Sequence, residues 1–244
     1  MVGITIAPLG EPAAAMAWVA SRGIRGVQWS ATSAGMRPRE LGMSARRDIR
    51  ALLVRLELVL SGIDALVPAS HLVDPRHADR ALDAIRDACE FAADLGHPAV
   101  TVRLPDAAAG TAEQVARRAA VDALVAVAAR TGVAIADLGG GERVPSPPIG
   151  VAVDPAAVLA AGDDPSAAVA RAGSRLLAAR IVDLTSEGMR GPAAGGAGSR
   201  LDLLSYRVAL GVSGFVGLPV IDCRQWQDPF TGSEASLAAW AAVG

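Results

Sequence analysis

The chain has 244 residues, 52% of them hydrophobic but only 3% aromatic, and a formal net charge of −2. That length suits one α/β barrel, and the near-neutral balance gives no overall field to recruit nucleic acid or an anionic membrane. All 23 basic residues are arginine, which excludes covalent chemistry through a protein lysine, whether Schiff-base or pyridoxal-anchoring.

Apolar runs and helical stretches alternate along the chain. "VGITIAP" at 2–8 predicts a strand, and the following helix has Pro12 early and Gly23 at its end. "GVQWSAT" from Gly26 is the second strand, and a helix with Ser44 as N-cap precedes the third, "SGIDALVP". "DPRHADRALDAIRDACEFAADLG" is the clearest helix. Asp74 is expected to cap it, Leu82, Ile85, Cys89 and Ala92 recur at helical spacing, and Gly96 ends it. "AVTVRLP" at 99–105 is the fourth strand. A helix with a Thr111-to-Gln114 capping box leads to "GVAIADL", the fifth.

"GGGERVPSPP" is too rich in Gly and Pro for a helix. The sixth strand is "IGVAVDP", Asp164 and Pro165 open a helix, and "LLAARIVDL" is the seventh strand. The glycine-rich run at 188–198 lacks the lysine of a P-loop and is expected to form a mobile loop. A helix around 202–210, the strand "LPVIDCR" and a final helix complete the chain. The strands are continuously apolar, as expected when both faces are covered. The expected fold class is therefore α/β, a single (β/α)8 TIM barrel over residues 1–244, with a doubly wound open sheet as the alternative. Cys89 and Cys223 form no disulfide framework, and Cys89 is expected to be a small core residue. With no apolar run of membrane-spanning length, a cytoplasmic protein is expected.

In such a barrel the site lies where strands run into the following helices. The strand ends supply Gln28, Arg103, Asp137, Asp154, Arg180, Asp183, Asp222 and Arg224, and His71 follows the third strand. Carboxylates converging on one mouth repel unless cations sit among them. Arg180, in "AARIVDL", is a permanent cation suited to neutralise Asp137, Asp154 and Asp222.

The sequence resembles the xylose-isomerase-like barrel superfamily, the sugar phosphate isomerases and epimerases. The resemblance covers nearly the whole chain. It is carried by the helix "DPRHADRALDAIRDACEFAADLG" before "AVTV" and by the run from "IGVAVDP" to "PVID", with Gly196-Ala197-Gly198 at a Gly-x-Gly turn and Asp202 after it. The resemblance implies a divalent cation held by Glu, Asp, His and Glu from the last four strands. Asp137 falls at the first Glu, Asp154 at the Asp, Arg180 at the His and Asp222 at the second Glu. A guanidinium has no lone pair to offer a metal. At ~4 Å and an effective dielectric near 20, it repels a divalent ion by roughly 8 kcal/mol.

The expected protein thus has no cofactor and no metal ligands, and its partner is a small carbohydrate-type molecule. Three functions stay open. In a metal-free isomerase or epimerase, Asp154 or Asp222 is the base, Arg180 the electrophile and Arg103 a grip on carboxylate or phosphate. In a non-catalytic binding or regulatory barrel, the machinery has decayed. In a Mg- or Mn-dependent enzyme, the three aspartates are ligands.

Overall fold

The computed structural model describes residues 1–106, 111–139, 147–195 and 198–244. Its short strands are β1 (Gly3–Thr5), β2 (Gly26–Ser30), β3 (Val59–Asp64), β4 (Val100–Val102), β5 (Ile135–Asp137), β6 (Ile149–Val153), β7 (Leu176–Ile181), β8 (Asp183–Leu184), β9 (Arg190–Gly191) and β10 (Val220–Ile221). All but β8 and β9 close into a barrel in the order β1-β10-β7-β6-β5-β4-β3-β2, every neighbour parallel. Strands β8 and β9 form a separate antiparallel hairpin after β7. The alternation read from the sequence is thus a closed (β/α)8 barrel, not an open sheet.

Helices α1 (Pro12–Ser21), α2 (Met43–Arg55), α3 (Ala78–Asp94), α4 (Thr111–Thr131), α5 (Pro155–Ala160), α6 (Pro165–Ala172), α7 (Leu203–Val212) and α8 (Pro229–Ala242) connect the strands. Several starts follow one local rule. Asp154, Asp164, Asp202 and Asp228 each accept a backbone N–H of the first turn, and proline follows three of them. The aspartate satisfies an amide that the helix itself leaves without a partner, and proline has no N–H to lose.

Three details differ from the sequence reading. Asp74 does not cap α3. Its carboxylate instead receives the backbone N–H and guanidinium of Arg76, so the chain turns once more and the helix starts at Ala78. Gly42, not Ser44, occupies the N-cap position of α2. The short α5 directly after β6 was not foreseen. The side chain of Thr111, on which the expected capping box of α4 rests, lies outside the described residues, as do residues 140–146 of the Gly- and Pro-rich connection.

Aliphatic residues fill the space between barrel and helices, including Ile4, Val27, Ile63, Val100, Ile135 and Ile181, with Trp29 against Phe91 at 5.6 Å between ring centroids. Full burial of each such side chain stabilises by about 1.5–3 kcal/mol. Cys89 belongs to this core, and burial pushes its thiol up to about 12. Among the described residues no helix is long and apolar enough to cross a membrane.

The close approach of β6 to β7 depends on Gly150. A Cβ there would lie 2.5 Å from the Arg175 carbonyl oxygen and 2.5 Å from Leu177 Cδ1. Gly150→Ala is expected to cost roughly 1–3 kcal/mol through overpacking. Urea unfolding measures it, and an unchanged midpoint would mean that the strands part without strain.

Candidate functional site: an arginine–aspartate network at the barrel mouth

Arg180 lies near the end of β7, opposite Val220 of β10, and is almost fully buried. Its Nη2 donates to Asp64 Oδ1 at 2.7 Å, and its Nη1 donates to Asp222 Oδ2 at 2.9 Å and to Gln28 Oε1 at 3.4 Å. Gln28 Nε2 donates to the same Asp64 oxygen at 2.9 Å, and the Thr5 hydroxyl donates to Gln28 Oε1 at 3.3 Å. Side chains from β1, β2, β3 and β7 and the residue after β10 are thereby tied across the barrel interior.

Two further arginines complete the network. The β8–β9 hairpin turns the chain back so that Arg190, paired with Leu184, reaches over the mouth. Its Nη1 donates to both oxygens of Asp154, at 3.0 and 2.7 Å, and its Nη2 to Asp222 Oδ2 at 2.6 Å. Arg224 grips Asp222 from Nε at 2.7 Å and Nη2 at 2.5 Å, and its Nη1 stands 3.3 Å from Asp64 Oδ2. Arg180, Arg190 and Arg224 thus balance Asp64, Asp154 and Asp222 in charge.

Burial by itself pushes the Asp222 carboxyl up, but the guanidiniums of Arg180, Arg224 and Arg190 outweigh it and hold the group well below the usual carboxylate range. For Arg180, burial acts against the charge, and Asp64, Asp222 and Asp154 more than offset it. A guanidinium stays charged in any case, so its cost of burial is met by pairing and not by proton loss.

The other sequence-derived residues are placed differently. Asp137 turns its Oδ1 to the backbone N–H groups of Leu104 and Gly139, at 2.9 and 2.8 Å, and burial raises its carboxyl. It ties two loops together and makes no hydrogen bond to Arg180. Asp183 accepts from the backbone of Leu184, Arg200 and Leu201 and from the Ser199 hydroxyl. Its carboxylate anchors the chain before α7 and has no place in the cleft lining. His71 stacks on His77 with ring centroids 4.6 Å apart in a neighbouring groove. Arg103 is exposed at the cleft rim. Gly196 and Ala197, from the run expected to form a mobile loop and the Gly-x-Gly turn, lie outside the described residues, and Asp202 caps α7.

Above the network opens a cleft of about 510 Å³. Asp154, Arg190, Arg224, Arg103 and Gln225 form its polar side, and Leu138 with the loop Leu66–Ala69 forms its apolar side. The size falls within the ~300–1,000 Å³ of small-ligand pockets. Gln225 holds a left-handed backbone at φ 67°, strain of the kind that gathers at ligand-binding positions.

A divalent cation does not fit this donor set. Arg180 offers five N–H donors where the resemblance places an imidazole, and both Asp154 oxygens already accept from Arg190. No group of three or more His, Cys, Asp or Glu among the described residues is arranged to hold a metal. Purified protein is expected to carry no stoichiometric divalent metal. Elemental analysis finding one equivalent of Mg, Mn or Zn, lost in Asp154→Ala, would contradict that.

No protein-family model and no curated protein matches the chain. Solved structures do. A D-tagatose 3-epimerase-like protein aligns with TM-score 0.77 and 15% identity over 100% of this chain and 98% of its own. A xylose isomerase domain protein from Planctomyces limnophilus aligns with TM-score 0.77 and 15% identity over 99% and 95%. D-psicose 3-epimerase from Clostridium cellulolyticum H10, solved with D-tagatose, aligns with TM-score 0.73 and 15% identity over 100% and 97%. Identity this low makes the likeness one of fold: the chain shares the closed (β/α)8 barrel of these structures.

Proposed function

We propose that the protein binds a small, hydroxylated, carbohydrate-type molecule in the cleft at the barrel mouth, with the arginine–aspartate network in place of a divalent metal. The observation that carries this reading is the charge-balanced set of three arginines and three aspartates, with Arg190 and Arg224 lining the cleft. Guanidinium forks and carboxylates give hydroxyl groups both donors and acceptors, and the apolar loop offers a face to a sugar ring. Fold neighbours whose names include sugar 3-epimerases support the ligand class.

Binding is favoured over turnover by the state of the two candidate bases. A general base needs a free lone pair and a pKa near the working pH. Asp222 is held well below that by its arginines, and Asp154 is gripped at both oxygens. The isomerase or epimerase reading needs Arg190 to release Asp154. One observation favours it: Arg190 sits on a two-residue strand of a hairpin outside the barrel and is partly exposed.

The test has two stages. Thermal-shift and calorimetric titration with aldoses, ketoses, sugar acids and sugar phosphates should find a binder whose affinity falls in Arg190→Ala. If no member of that panel binds, or if the loss of Arg190 leaves its affinity unchanged, the proposal fails. The bound sugar is then incubated in D2O and followed by proton NMR. Retained C–H signals support the binding reading, and solvent deuterium beside the carbonyl supports the isomerase reading.

A further inference from the structure

Beside the barrel mouth, and sharing with it Val67 and Pro68, lies a second groove of about 470 Å³. We propose that this groove is a binding site for a small molecule carrying a phosphate monoester, gripped by Arg39 and Arg80 beside the stacked His71–His77 pair.

The charge of the lining is the first argument. Arg37, Arg39, Arg80 and Arg86 face Asp83 and Asp87. Arg37 is neutralised by Glu40 at 3.0 Å and Arg86 by Asp83 at 2.6 Å. Arg39, on the turn Pro38–Glu40, and Arg80, on the first turn of α3, have no ion pair within 4 Å among the described residues. Two guanidiniums on two different elements stand against one remaining lining carboxylate, Asp87, and the excess of positive charge suits a phosphate monoester, which carries about −1.5 to −2 near pH 7.

The donor geometry is the second. His71 and His77 stack at 4.6 Å with their planes 30° apart. An imidazole offers at least one N–H in either protonation state. No side chain caps α3, and its first turn, which also carries Asp79, brings Arg80 to the groove beside the N-cap residue His77. The groove floor is made of small apolar residues, Ala31, Pro38, Val67 and Ala81, so the ligand has an apolar body behind its phosphate. The site is distinct from the barrel mouth and stands whether or not a sugar binds there.

The probe is phenyl phosphate, which combines a monoester with an apolar ring, titrated calorimetrically into the full chain. Arg39 and Arg80 are exposed and make no ion pair within 4 Å among the described residues, so Arg39→Ala and Arg80→Ala should melt like the wild type. Each is expected to weaken binding about tenfold, the loss typical of one charge-assisted hydrogen bond. Arg190→Ala and Arg103→Ala, at the barrel mouth, should leave the affinity unchanged. Binding lost in those two variants and kept in Arg39→Ala and Arg80→Ala would put the phosphate at the mouth, overturning the inference while leaving the mouth reading intact. A wild-type protein that does not bind phenyl phosphate at all would also overturn it.

Discussion

Arg180→Met is expected to lower the stability of the protein by about 3–5 kcal/mol at neutral pH, because it leaves buried carboxylates without their central cation. Asp64 loses its shortest contact, at 2.7 Å, and Asp222 keeps Arg190 and Arg224. The deficit should depend on pH with a definite sign. Asp222 has a folded-state pKa depressed below its unfolded value. Its contribution in the wild type is fully present above the unfolded carboxylate range and is lost as pH falls through the folded value. The gap between wild type and variant should therefore be widest near neutrality and should narrow in acid, below about pH 4, where the unfolded carboxylates protonate. Urea unfolding from pH 3 to pH 8 measures this. A constant gap would mean that the lost stability came from packing of the arginine stem and not from its charge.

Asp183→Ala is expected to cost about 2–4 kcal/mol, through three backbone N–H groups and one hydroxyl left without their acceptor. The donors come from Leu184, Arg200, Leu201 and Ser199, so the damage should centre on the chain between the β8–β9 hairpin and α7. Hydrogen exchange should locate faster amide opening there. Ligand affinity at the mouth should change much less than in Arg190→Ala, since Asp183 has no place among the cleft residues. A variant of wild-type stability that has lost its ligand would assign Asp183 to recognition instead.

Much of the fold was legible in the sequence because two periods alternate in it. Short apolar runs too continuous for half-exposed strands predicted a covered parallel sheet, and glycines at 23, 96 and 132 marked helix ends, all three with a positive φ. The site was legible only in part. Arg180, Asp154, Asp222, Arg224 and Gln28 were found as polar residues closing apolar runs.

Asp64 was missed for a physical reason. The run "SGIDALVP" continues apolar past the aspartate, so the strand looked longer than it is, yet β3 ends at Asp64. The signal was nevertheless available. "GID" repeats the Ile-or-Val-then-Asp ending of "RIVD", "VAVD" and "PVID". Arg190 carried no such signal, since it sits in a glycine-rich stretch and reaches the site through a hairpin of two-residue strands. Asp183 carried the signal and is engaged elsewhere, as is Asp137 at the end of "VAIAD", because a carboxylate at a strand end serves equally to hold the loop that follows.

The barrel network also constrains how the chain comes together during folding. Its partners are far apart in sequence: Asp64 and Arg180 are separated by 116 residues, and Gln28 and Arg180 by 152. A half-barrel ending after β4 would enclose Asp64 with no guanidinium from β7, and one starting at β5 would enclose Arg180 without Asp64. The first half, closed alone, would bury Asp64 without a guanidinium, a cost of several kcal/mol, whereas Arg180 keeps Asp222 in the second. An N-terminal partial barrel is thereby disfavoured, because the guanidiniums that match Asp64 come from Arg180 and Arg224.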